Sequence, residues 1–133
     1  MPAIEIQLDS PIPITEQIVA GLRRAIATGQ LQANDDLPPV RQLAADLGVN
    51  LNTVARAYRT LEASGLVTTV RGRGTRVTSS TEKRPAGKSA SIHQVKQQIT
   101  DAVVDAKLAG LTHEAMTRVF QEVLGTFFKK TST

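Results

Sequence analysis

Asn52, Thr53, Arg56 and Arg59 fall within eight residues of one another, and Arg71 and Arg73 alternate with Gly72 and Gly74 shortly afterwards. Carboxamide and guanidinium groups are the side chains that meet adenine and guanine edges with two hydrogen bonds each. Guanidinium also grips phosphate through its rigid fork of donors. Glycine beside arginine permits a tight turn and lets backbone N–H groups come close to a phosphate. The plain alternative for VRGRGTRV is a surface hairpin whose charges only keep it solvated. Between residues 1 and 80, eight basic side chains stand against seven acidic ones; five of the eight lie from Arg56 to Arg76, opposed there by Glu62 alone. The net charge of +4 is modest; its local concentration is what suggests a polyanionic partner.

The elements that must hold these groups follow from apolar spacing. Ile14, Ile18, Leu22, Ala25 and Ile26 share a helical face, with Pro13 suited to the first turn and Gly29 placed to end it. After QLQANDDLPP, Pro39 opens a second, short helix with Val40, Leu43, Ala44 and Leu47 on one face, stopped by Gly48. Three residues, Gly48 to Asn50, lead to a third helix expected over 51–64, with Asn50 as the N-cap. At about 100° per residue, Leu51, Val54, Tyr58 and Leu61 fall on one side of it, and Asn52, Thr53, Arg56, Arg59 and Thr60 on the other. LVTTV and TRVT then read as two β-branched strands joined through RGRG. At the N-terminus, Ile4, Ile6 and Leu8 alternate with polar residues, which fits a short strand or an extended arm equally.

Two helices joined by a three-residue turn, the second with a polar and cationic face, followed by a basic glycine-tipped hairpin, describe a winged helix-turn-helix over residues 1–78. Its third helix would enter the major groove of double-stranded DNA, and its wing would meet a flanking groove or backbone. Residues 79–91, rich in Ser, Thr, Pro, Gly and Lys, read as a linker. Residues 92–130 carry two more amphipathic helices: Ile92, Val95, Ile99, Ala102, Val103 and Ala106 stripe the first. The second, capped by Thr112, is striped by Met116, Val119, Phe120, Val123, Leu124, Phe127 and Phe128. The expected fold class is mainly α with a small β-wing, closed by a C-terminal helical hairpin.

Other chemistries find little support. The chain has no cysteine, so it has no disulfide framework, thiol nucleophile or cysteine-based metal site. His93 and His113, even with Asp101, Asp105, Glu114 and Glu122 nearby, lack a recurring ligand spacing. No nucleophile, base and orienting group stand at a recognisable spacing, and neither a cofactor motif, an export signal nor a membrane-spanning run is visible. A cytoplasmic protein that is not an enzyme is the expectation.

The runs PITEQIVAGLRRAIATGQL and LPPVRQLAADLGVNLNTVARAYRTLEASGLVTTVRGRGT resemble the DNA-binding domain of GntR-family bacterial transcription regulators. The short two-helix tail is similar to that of the YtrA-like subfamily, and that resemblance implies a dimer on a pseudo-palindromic operator, often in a transporter operon. It also assigns DNA contact to Arg41 in the second helix, Asn52, Thr53 and Arg56 in the third, and Arg71, Gly72, Arg73 and Gly74 in the wing. Asn50 and Arg59 are counted with this set, Arg59 being either a phosphate contact or a solvated charge; Arg41 could instead pair with Asp36 or Asp46. Tyr58 is expected in the core, and Arg23 and Arg24 in solvent. The chain departs from the family pattern at Pro39, which replaces a capping serine, and at Asn34, which occupies a usual glycine position that asparagine tolerates. Thr15 in place of a common tyrosine and the acidic Asp35 and Asp36 are further departures.

Tail helices that hid their stripes only against each other would make a very small core, marginal without further burial. They are expected to pair with a second copy through Ile99, Val103, Met116, Phe120, Val123, Leu124 and Phe127, unless they fold back on their own winged domain. The leading expectation is a sequence-specific repressor working as a homodimer, with any small-molecule effector unknown. The alternative is a winged-helix protein-interaction module or a nonspecific architectural DNA binder.

Overall fold

The first helix, α1, runs Ile14–Ala27 and begins straight after Pro13, whose fixed φ of −56° suits the entry. Its apolar stripe turns Ile18, Leu22 and Ala25 fully inward. A computed structural model describes residues 4–79 and 92–128, and the chain divides into two compact units, Met1–Ser89 and Ala90–Thr133. In the first unit α1 is followed by α2 (Val40–Leu47), α3 (Leu51–Ala63) and a two-stranded antiparallel sheet of β1 (Val67–Val70) and β2 (Gly74–Val77). This is the winged helix-turn-helix order. The second unit contains α4 (Ile92–Leu108) and α5 (His113–Phe127).

One core serves the whole first unit. Ile18 and Leu22 of α1, Leu43 of α2, Val54 and Leu61 of α3 and Val67 of β1 are its largest fully buried side chains, closed by Leu31, Leu37, Tyr58 and Val77. Helix α3 packs against α1, α2 and β1, so it is the element about which the unit is assembled. Tyr58 is 5% exposed, the core position the helical wheel gave it, and its hydroxyl donates a 2.7 Å bond to the Pro38 carbonyl. That bond ties α3 to the segment leading into α2.

Leu51 corrects the wheel. Grouped by spacing with Val54, Tyr58 and Leu61, it is 44% exposed, because it is the first residue of α3 and projects from the end of the helix beyond the packed core. The third helix also closes one residue early: Ser64 is its C-cap and turns its hydroxyl back to the Leu61 carbonyl.

The N-terminal alternation forms no strand: residues 4–7 have no regular structure, and a turn begins at Leu8. Gln17 clamps this segment: its carboxamide accepts from the Gln7 N–H at 2.8 Å and donates to the Gln7 and Ile12 carbonyls. Ile4 lies so close to α1 that a Cβ at Gly21 would sit 3.2 Å from its Cγ2. Between α1 and α2 the chain runs beside the wing. The Asn34 N–H donates to Val77 O, Leu37 N–H to Thr75 O, and Val77 N–H to Asp35 O, while Asp36 and Arg76 form an antiparallel bridge. Strand β2 is thereby flanked on both sides. Asn34 takes the left-handed conformation (φ 70°) that its place in the loop requires, and its Oδ1 accepts from the Arg76 guanidinium at 3.0 Å.

In the second unit, Gly110 (φ 92°) ends α4, and the Thr112 hydroxyl caps α5 by accepting from the Ala115 N–H at 3.1 Å. Neither helix has a fully buried residue. Apart from Ser79, the expected linker at 79–91 lies outside the described residues.

Candidate nucleic-acid interface

The turn before α3 is built to fix where that helix begins. Gly48 takes a left-handed C-cap (φ 68°) on α2, the Val49 N–H returns to the Ala44 carbonyl, and two residues later the chain is helical again. The Asn50 Oδ1 accepts from the Asn52 N–H at 2.7 Å, using the side chain as the N-cap its type suggested. Helix α2 starts after Pro39 with no side-chain cap.

With its start fixed and one face held by Val54, Ala57, Tyr58 and Leu61, α3 turns Asn52, Arg56 and Arg59 to solvent and leaves Thr53 half-buried at the edge. On an α-helix, residues three and four apart share a face. Asn52, Arg56 and Arg59 therefore form one continuous polar strip, opposite the packed side. Arg41 is exposed on α2.

The wing presents a second cationic group. Val70 pairs with Gly74 across the sheet, so Gly74, expected in the turn, is the first residue of β2. The Arg73 N–H donates to the Val70 carbonyl at 2.9 Å, closing a turn in which Gly72 has φ 82°; Gly74 follows at φ 86°. Both values lie where a Cβ is strained, which is why glycine alternates with arginine here. Arg71 and Arg73 are exposed at the tip, whereas Arg76 is half-buried on β2 and bound to Asn34. Of the five arginines from 56 to 76, Arg76 is thus the one with a structural partner that the sequence did not announce. The acidic Glu62 accepts from the Thr69 hydroxyl at 3.2 Å, linking the end of α3 to β1.

Sequence reasoning missed the strip formed by 34–37 along β2, whose backbone pairing leaves no side-chain signature. It steadies the base of the wing. Among the described residues no three His, Asp or Glu side chains gather as metal ligands, and no helix is long and apolar enough to cross a membrane.

Comparison with known proteins agrees with this geometry. The family described as "Bacterial regulatory proteins, gntR family" matches residues 14–77, from the start of α1 to the end of β2. The HTH-type transcriptional repressor YtrA of Bacillus subtilis is 32% identical over 120 residues, covering 90% of this chain and 91% of that protein. Among solved structures, a transcriptional antiterminator from Listeria monocytogenes aligns with a TM-score of 0.82 at 26% identity, over 99% of this chain and 98% of that one. YtrA from Sulfolobus acidocaldarius, a GntR-family transcription factor, aligns with a TM-score of 0.60 at 34% identity, covering 76% of this chain and 97% of that one.

Proposed function

Because the chain belongs to the GntR family of bacterial transcriptional regulators and carries that family's DNA-binding domain, we propose that it is a homodimeric repressor of the YtrA-like kind, acting in the cytoplasm on a pseudo-palindromic operator. Its relatives are regulators of transcription, not enzymes. The observation that carries the proposal is α3: one face is locked into the core, and the other offers Asn52, Arg56 and Arg59 to solvent from a helix whose start is fixed by Asn50. A major groove admits one such helix and displays the donor and acceptor pattern these groups complement. In this reading the half-buried Thr53 and the exposed Arg41 of α2 add to the contacts of that strip, and Arg71, Gly72, Arg73 and Gly74 meet backbone or an adjacent groove. By resemblance to YtrA-like regulators, the controlled genes are those of a transporter operon.

The dimer is proposed on the second unit. Val103 is 39% exposed and Leu124 53%, Ile99 and Val123 are similarly open, and Met116, Phe120 and Phe127 are only half-buried. Amphipathic helices of this length gain most of their stability from burying an apolar face. A second copy supplies that burial symmetrically, and its own winged unit doubles the contacts to DNA.

Fluorescence anisotropy with a selected duplex tests the groove contact. Arg56→Ala is expected to weaken binding by about 5- to 150-fold, the range of one good bidentate base contact. Asn52→Ala is expected to relax preference at one base position more than it lowers overall affinity. An Arg56→Ala protein with unchanged affinity and sequence preference would remove α3 from the groove.

A further inference from the structure

Leu51 stands apart from every other large apolar side chain on the helices of the first unit. Among the described residues of α1, α2 and α3, the others are buried or half-buried, while Leu51 is 44% open to solvent. Isolated exposed leucines are ordinary on protein surfaces. This one occupies the first position of α3, between the capping Asn50 and Asn52. Side chains on an α-helix tilt toward its N-terminus, so a first-position side chain reaches past the end of the helix. The Asn50 cap fixes that end, and with it the Cα–Cβ direction from which the isobutyl group extends.

We propose that Leu51 is a specificity-determining residue that reads a thymine through its 5-methyl group. The inference rests on the reading of α3 as the helix that enters the major groove, because the N-terminal residues of such a helix are those that meet base edges. Thymine carries the one apolar group in that groove. Leucine offers no hydrogen bond, so against a cytosine or guanine it strips water from a polar edge without replacing it. Against thymine it buries methyl on methyl. The N-terminal end of α3 then combines two kinds of recognition: hydrogen bonding by Asn52 and Arg56, and apolar contact by Leu51 at a neighbouring base pair.

The test separates this contact from DNA binding itself. A duplex selected by the intact protein is remade with each dT replaced singly by dU, which deletes the 5-methyl and keeps the base pair. Wild-type protein is expected to lose about fourfold in affinity at one such position, the equivalent of one buried methyl. Leu51→Ala, which removes the isobutyl group, is expected to bind the dT and dU duplexes equally at that position. It should keep the wild-type response to base changes elsewhere, and its circular dichroism should match the wild type. If no dT→dU change weakens the wild type, or if Leu51→Ala retains the full loss, Leu51 does not read thymine although α3 still binds. A wild-type protein that selects no duplex overturns the groove reading and this inference together.

Discussion

At the residue scale, Tyr58 inside α3 and Asn50 at its N-cap each carry a testable role. Tyr58 is packed inside, and burial pushes its hydroxyl up to about 12 from the ordinary 10.0. Folding therefore favours the protonated phenol. Its contribution is full below pH 10, the unfolded value, and is lost as pH rises through about 12. Tyr58→Phe leaves the Pro38 carbonyl without this donor. It is expected to cost about 1 kcal/mol in urea unfolding at neutral pH and to flatten the fall in stability between pH 10 and 12; an unchanged alkaline limb would show that another group governs it. Asn50 raises a different question, because its Oδ1 is already engaged as the cap. Asn50→Ala should destabilise the protein by about 1 kcal/mol. Asn50→Asp keeps an acceptor at the cap and places a negative charge beside the polyanion, so it should retain stability and weaken DNA binding. Equal DNA affinity for Asn50→Asp and wild type would confine Asn50 to capping.

At the scale of elements, the wing carries two exposed arginines on a firm base. Strand β2 is held by β1 on one side and by residues 34–37 on the other, and Arg71 and Arg73 extend from the turn above it. If both neutralise phosphate, replacing both with alanine should reduce the slope of log affinity against log salt by about 1.8, at about 0.9 per phosphate. An unchanged slope would assign the wing a job other than phosphate contact. Helices α1 to α3 and the two strands were legible because period and punctuation agreed: apolar stripes at helical spacing, Gly48 and Asn50 at the turn, β-branched runs around RGRG. Asn52, Arg56 and Arg59 were legible as an exposed strip for the same reason. Leu51 was not, since a helical wheel records angle and knows nothing of where along the axis the core stops. The pairing of residues 34–37 with β2 was hidden too, because it is made by backbone groups; the side-chain ties from Arg76 to Asn34 and from Thr69 to Glu62 were also hidden.

At the scale of the whole molecule, the two units have opposite needs. The first has a closed core; the second has two helices with their apolar residues exposed or half-buried. Pairing of that second unit between copies predicts that Val103→Asp with Val123→Asp shifts sedimentation from dimer to monomer at micromolar concentration. Melting of the winged unit should stay unchanged, since neither residue belongs to its core. Affinity for a duplex with two half-sites should fall far more than affinity for one half-site, because linking two reading heads makes the second contact intramolecular. A wild-type protein that sediments as a monomer and still binds a two-site duplex at full affinity would refute the pairing.

The most direct test of the DNA-reading role is selection of bound fragments from random duplex DNA by the intact protein, followed by sequencing. A regulator that reads sequence through α3 and pairs through its tail should enrich an inverted repeat whose half-sites lie about 10 base pairs, or a multiple of that, apart. Retention of DNA with no enriched sequence, or no retention even at low ionic strength, would contradict it.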